Sequence, residues 1–362
     1  MKTLIICSSP YTIFNGVNYV LSRNIKADII ISKLSPSVSE IGNKLRECQL
    51  FNSVSFINDI QESRYIKPLA LLTYLFPTLM LWILGLRRID FREYNVVISQ
   101  NHFFISLVSR LIKGADYFLM EEGLGSYVNK KVIFSNRRNK YFTFVDKYIF
   151  HGALTPEIKG LFLYKPEMFP FKGINIFKFN PMDVTHISLY NKIFGQVTTR
   201  IYNSKSPIIF GAPSMQKLIC NVSNKSYNQY EFLINFVFPY IPDNYVYRPH
   251  PAEFLHKKYI DGKVDDNLNF WELDCYENVT DETVLVSFYS TAAISPKLLY
   301  DKEPILVFLF PLCSYYDNKK NDYEYFLETV KSQYKDKWKI MIAHDMSELQ
   351  LILNSINSCI GN

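Results

Sequence analysis

Two short signatures carry the side chains best suited to chemistry: MEEGLGSY at residues 120–127 and YRPHPAE at residues 247–253. Each follows an apolar run that reads as a buried strand, so each falls in a loop at a strand end. In the first, Glu121 and Glu122 precede Gly123, a residue that lets the backbone turn sharply and approach a ligand. Neighbouring residues of an extended segment point to opposite sides. One carboxylate can therefore act as a general base while the other braces the loop. In the second, Pro249 and Pro251 hold His250 in a rigid, extended loop. His250 can donate a hydrogen bond, and when protonated a charge, to a phosphate leaving group. Arg248, two residues earlier, is expected on the same side as a second phosphate contact. A base and a phosphate-binding cation on separate domains suggest group transfer.

Three further groups extend this pattern. SFYSTAAIS, residues 287–295, reads as the end of a strand and the start of a helix. Ser290 and Thr291 then sit at a helix N-terminus, where free N–H groups, the dipole and two hydroxyls suit an anion; an unliganded N-cap pair is the plainer reading. In NFWELDCYENV, Trp271 offers a stacking face and Glu272 a carboxylate for ribose hydroxyls, while Glu277 reads as an exposed loop acid. Gly211, in the loop FGAPSM, suits a close backbone approach to a ligand. The remaining histidines, His102, His151, His186, His256 and His344, have no comparable context. The chain has no DxD triplet, no GxxxxGK[ST] loop and no GxGxxG. A metal-clamped diphosphate is thus a poor fit, and a donor with a single phosphate a better one.

The elements that must position these residues follow from the pattern of apolar runs. In the first half, KTLIICSS, a helix from about Phe14, ADIIIS, VSFIN, NVVISQ, a helix through 102–113 and ADYFLMEEG alternate as βαβ units of a parallel sheet. Residues 151–206, less regular and punctuated by Pro156, Pro166, Pro170 and Pro181, read as the end of the first domain plus a crossing segment. A second alternating series runs from SPIIFG through NYVYRPHP, TVLVSFYS, EPILVFLF and WKIMIAH to a final helix with an Asp-Met-Ser-Glu cap. The expected fold class is α/β and GT-B-like: two Rossmann-like, doubly wound domains facing across a cleft. The expected boundaries are 1–180 for an acceptor-side domain, 181–206 for a linker and 207–362 for a donor-binding domain.

With 362 residues, 48% hydrophobic and 20% charged, the chain is a globular protein of two-domain size. No RRM, zinc-finger or helix-turn-helix pattern appears, so nucleic acid is not an expected partner. Part of the net charge of +6 lies in residues 130–147, where six basic residues face one Asp among Phe and Tyr. That stretch suits an anionic surface or is simply solvated. Residues 68–86 form an uncharged run long enough to touch the membrane, to fold as a core helix pair or, less compatibly with Pro77 and a shared sheet, to span. The six cysteines are scattered, without CxxC or metal spacing, and read as reduced thiols of a cytoplasmic protein.

Taken in order, Glu-Glu-Gly, His-Pro and the downstream Ser-Thr pair resemble the motifs of bacterial sialyltransferases. The likeness is greatest to glycosyltransferase family 52, the lipooligosaccharide sialyltransferase type, with the capsular polysialyltransferases as relatives. The resemblance implies that Glu121 is the base and that His250, fixed by Pro251, faces the phosphate of CMP. Arg248 replaces a lysine often seen at its position. Glu272 matches the ribose-binding acid, and Ser290 with Thr291 the phosphate-binding pair. The implied reaction is inverting, metal- and cofactor-independent transfer from CMP-sialic acid to a glycan hydroxyl. The implied partners are that donor and a galactose- or sialic-acid-terminated acceptor of lipooligosaccharide or capsule. Peripheral contact with the inner face of a bacterial membrane and a homodimer are compatible with it. Two other readings keep the fold: a hexosyl or CMP-Kdo transferase, and a non-catalytic glycan- or nucleotide-binding protein.

Overall fold

The chain begins with Thr3–Cys7 (β1), whose five residues are all buried because a parallel strand is covered on both faces. The computed structural model describes residues 1–362 apart from 33–35, 58–75, 77–78, 80–84, 87–88, 100–104, 106–107, 110, 113, 124, 129–156, 196–201, 203–205, 213–218, 223–224, 251–252, 254–263, 266–269, 315–319 and 361–362. It divides into two compact units, Met1–Ile193 and Phe194–Asn362, a division that falls within the expected connecting stretch.

In the first unit, β1 leads into Pro10–Arg23 (α1), four residues ahead of the expected start. A capping box explains the difference: Ser9 accepts the Thr12 N–H at 3.2 Å and the Thr12 hydroxyl accepts the Ser9 N–H at 3.0 Å, with Pro10 in the first turn. Asp28–Ser32 (β2), Pro36–Cys48 (α2), Ser53–Ile57 (β3), Val96–Ser99 (β4) and Asp116–Met120 (β5) follow. Then come a short helix Gly125–Val128 (α3), Ile158–Leu163 (β6), Ile176–Lys178 (β7) and Ile187–Phe194 (α4). The strands form one parallel seven-stranded sheet in the order β3-β2-β1-β4-β5-β6-β7. β6 and β7, within the stretch read as the end of the first domain, add two strands to its sheet that the sequence pattern did not mark. Tyr190 on α4, wholly buried, ties that helix into the unit through its hydroxyl, which donates to Asn18 Oδ1 at 3.2 Å.

The second unit opens with Ile208–Phe210 (β8) and an antiparallel hairpin, Ile219–Val222 (β9) with Lys225–Asn228 (β10), that the alternation of apolar runs did not suggest. Gln229–Phe236 (α5), Val246–Arg248 (β11), Trp271–Asn278 (α6), Val284–Ser287 (β12), Thr291–Tyr300 (α7), Ile305–Phe308 (β13), Lys320–Ser332 (α8), Ile340–Ile342 (β14) and Met346–Ile360 (α9) complete it. The predicted cap of the last helix is present, with Asp345 Oδ1 accepting the N–H of Ser347 at 2.8 Å and of Glu348 at 2.9 Å. The second sheet has five parallel strands in the order β11-β8-β12-β13-β14.

Both sheets start in the middle, fill one side and return to fill the other. The reversals lie between β1 and β4 and between β8 and β12. In open α/β sheets the crevice beyond the strands' carboxyl ends at such reversals is where ligands bind.

Two expectations about the surroundings need correction or restriction. Cys220 and Cys313 are joined by a disulfide, not reduced thiols: an isolated antiparallel bridge places their Cα atoms 4.2 Å apart, across 93 residues of sequence. The cytoplasmic assignment loses the support it took from six free thiols. Among the described residues no helix is long and apolar enough to cross a membrane. Most of 68–86, all of 130–147, Pro251 and the histidines at 102, 151 and 256 lie outside the described residues. Because the disulfide closes a long loop, replacing both Cys220 and Cys313 by Ala is expected to lower unfolding free energy by about 2–4 kcal/mol. Urea unfolding of the oxidised parent and the double variant measures it; equal midpoints would show that the bond is not formed in solution.

Candidate functional site

At the carboxyl edge of the first sheet the Glu-Glu-Gly turn continues β5 by one residue, the Glu121 N–H donating to Phe162 O of β6 at 3.0 Å. Gly123 then takes φ +109°, a conformation open to glycine, and the chain enters α3. The two carboxylates part as strand geometry requires: Glu122 is exposed and Glu121 has no exposure at all. Three donors hold Glu121. Tyr11 from the first turn of α1 donates to Oε1 at 2.6 Å, and Tyr127 of α3 donates to Oε2 at 2.7 Å. The Tyr164 N–H, just beyond β6, donates to Oε2 at 3.0 Å. The first turn of α1, the short helix α3 and the segment after β6 thus meet at one carboxylate. Burial pushes the Glu121 pKa up, and the two hydroxyls and the N–H oppose that rise.

The network extends behind the turn. Asn15 donates to Glu121 O at 2.8 Å, Tyr164 donates to Asn15 Oδ1 at 2.9 Å and Asn18 donates to the Tyr164 hydroxyl at 3.1 Å. Every element of this chain is buried and bonded, as a polar core must be. Glu121 therefore lies beneath the turn, and Glu122, whose N–H donates to Ser126 Oγ at 2.9 Å, presents its side chain outward.

In the second unit the loops after β11, β8 and β12 lie on three adjacent strands of the sheet. His250, half-buried, follows β11; Gly211 follows β8; Ser290 and Thr291, also half-buried, follow β12. With parallel strands spaced about 4.8 Å, the outer two of these loops are about 10 Å apart at their roots. Ser290 is the N-cap of α7, its hydroxyl accepting the Ala292 N–H at 3.2 Å. Trp271, at the start of α6, donates from Nε1 to Ala292 O at 2.7 Å, so the first turns of α6 and α7 are bonded side by side. That bond ties the turn of α6 that carries Glu272 to the first turn of α7. Glu272 is 8% exposed, and burial raises its pKa from the ordinary 4.5 to about 7, with its own backbone N–H and Arg248 opposing. Burial lowers the His250 pKa, which favours its neutral imidazole.

Three expected roles change. Arg248 is 6% exposed and faces inward: Nη1 lies 2.5 Å from Asp265 Oδ2 and 2.7 Å from Asp274 Oδ2, bonds the Tyr202 hydroxyl, and its guanidinium lies over the Trp271 ring. Its charge is matched within the unit. Burial works against that charge, yet Tyr202 and the two carboxylates hold its pKa above the usual value. Trp271 is a buried neighbour of Phe210 at 4.8 Å between ring centroids and not a stacking face. Gly211 makes room for a protein group: a Cβ there would overlap Glu253 Oε2 and lie 2.6 Å from the Tyr247 hydroxyl oxygen. Glu277 is exposed as expected, though on α6 and not in a loop.

Sequence reading missed Glu253, Asp265, Asp274 and the tyrosines that bind the two glutamates. Glu253 was within the quoted motif, three residues after His250. Tyr127 and Tyr247 likewise close and open the two quoted motifs, while nothing distinguishes Tyr11, Tyr164 or Tyr230 among the 26 tyrosines of the chain before the fold is known. Among the described residues no group of three His, Cys, Asp or Glu side chains could hold a metal ion. No protein-family model matches the chain, and no curated protein matches its sequence.

The raised pKa of Glu272 has a definite sign. The folded state favours the protonated acid, so the stability this group contributes is full below pH about 4.5 and is lost as pH rises to about 7. The loss amounts to about 3 kcal/mol. Glu272→Gln is expected to flatten the decline in urea midpoint over that window; a decline identical to the parent's would mean that Glu272 titrates normally.

Proposed function

We propose that this chain is an inverting sialyltransferase that moves sialic acid from CMP-sialic acid to a hydroxyl of a surface glycan, lipooligosaccharide or capsule. In this reading its two parallel-sheet units pair in the GT-B manner. The observation that carries it is that His250 and the Ser290–Thr291 helix start follow the two strands that flank β8, and that Trp271 bonds that helix start to the turn of α6 that carries Glu272. One hydrogen-bonding imidazole, one buried acid and one helix N-terminus suit a nucleoside monophosphate: the acid accepts from ribose hydroxyls, while the helix start and His250 donate to the phosphate.

The acceptor hydroxyl loses its proton to the Glu-Glu-Gly turn as its oxygen attacks the anomeric carbon. The bond from that carbon to the phosphate oxygen breaks, and its electron pair leaves with CMP. Because the leaving group is good, the protein's work is chiefly positioning and charge stabilisation. The resemblance assigns the base to Glu121. Its complete burial under three donors favours the reverse assignment, with Glu122 meeting the acceptor and Glu121 fixing the turn. The peripheral membrane site belongs to the same proposal, as the place where lipid-linked acceptors lie.

Incubation with CMP-sialic acid and a panel of galactosides and sialosides, read by mass, tests the reaction. Calorimetry with CMP, UDP and GDP tests the donor, and preference for UDP or GDP would overturn the sialyl reading. Glu122→Gln is expected to reduce transfer by about a hundredfold or more while CMP binding persists. Transfer at the parent's rate by Glu122→Gln, with loss in Glu121→Gln, would return the base to Glu121.

A further inference from the structure

We propose that Glu253 is a positioning residue that sets the placement of His250, a role that rests on the donor-site reading above. Glu253 and the His250 backbone are bonded in both directions: the Glu253 backbone N–H donates to His250 O at 2.8 Å, and the His250 N–H donates to the carboxylate oxygen Oε2 at 3.0 Å. The other oxygen, Oε1, accepts the Tyr230 hydroxyl at 2.5 Å and the Tyr247 hydroxyl at 2.7 Å. Those tyrosines come from α5 and β11, while Oε2 rests in the space left by the missing side chain of Gly211 at the end of β8. Three rigid elements therefore fix one carboxylate, and that carboxylate fixes the backbone from which the imidazole projects.

The residue type follows from this arrangement. Glu253 is 8% exposed and meets three donors, two hydroxyls and an N–H. An ionised carboxylate is purely an acceptor and can satisfy them all. An amide offers one acceptor oxygen and an NH2 group: with the oxygen on the His250 N–H, the NH2 faces the two tyrosine hydroxyls, whose protons lose their acceptor in a closed space. The strain is relieved most easily by the loop, since Gly211 and the two tyrosines are anchored in sheet and helix.

A double-mutant cycle separates this role from general support of the fold. Glu253→Gln is expected to lower transfer from CMP-sialic acid about tenfold in the parent and to leave the residual rate of His250→Ala unchanged. Equal losses in both backgrounds, or none in the parent, would overturn the proposal. Tyr247→Phe removes a single donor and serves the same cycle if Glu253→Gln does not fold. A second readout needs no substrate: the His250 imidazole is followed by NMR through its titration. Glu253→Gln is expected to displace that midpoint; an unmoved midpoint with unmoved imidazole shifts would count decisively against the role. If the parent transfers nothing, the donor reading fails and the NMR measurement alone decides whether Glu253 places His250.

Discussion

A buried carboxylate held by neutral donors is the interaction on which both loop systems depend. Glu121 accepts two tyrosine hydroxyls and one backbone N–H; so does Glu253. The two clusters lie in different units and on unrelated stretches of sequence, yet each solves the same problem. A loop beyond a strand end carries backbone groups that cannot all pair with the sheet. A glutamate turned inward gathers donors from neighbouring elements, and its own desolvation is offset only when all of them are in place. Each loop is thereby tied to a set of partners and not to one.

Arg248 has a different logic. It is a buried cation between two carboxylates and over an indole ring, with Tyr202 from the start of the second unit completing its surroundings. Such a cluster contributes less to net stability than its short distances suggest, because three charges lose their water. Removing any one member would leave the others uncompensated. Asp274 shows the tension directly: Oδ2 meets Arg248, and Oδ1 is buried with no hydrogen-bond partner among the described residues. What the cluster secures is arrangement, since it joins the end of β11 to the first turn of α6 and so relates the His250 loop to Glu272.

Much of this was legible in the sequence where a property repeats along the chain. Runs of buried Val, Ile and Leu announced ten of the strands, and their alternation with helices announced two parallel sheets. β6 escaped because it lies among prolines and carries Gly160, whose bare Cα admits the Phe177 ring of β7. The hairpin β9–β10 escaped because Ile-Cys-Asn-Val and Lys-Ser-Tyr-Asn carry little apolar signal. Among site residues, Glu121, Glu122, His250, Glu272 and the Ser290–Thr291 pair stood out by type and position. Their orientation did not. Whether Arg248 faces a ligand or the interior depends on Asp265 and Asp274, 17 and 26 residues away in sequence. Period-two reasoning could not decide it, because Val246, Tyr247 and Arg248 are all buried.

Burial leaves Glu272, in the first turn of α6, as an acid poised near neutrality. An acid in that state is a proton reservoir coupled to whatever occupies the site. A ligand that donates hydroxyl hydrogens to it favours the ionised form, so binding at pH 7 expels a fraction of a proton into the medium. The heat of binding then contains the ionisation enthalpy of the buffer, and the affinity itself acquires a slope with pH. A ligand bound at that acid would in this way register as a change in proton count.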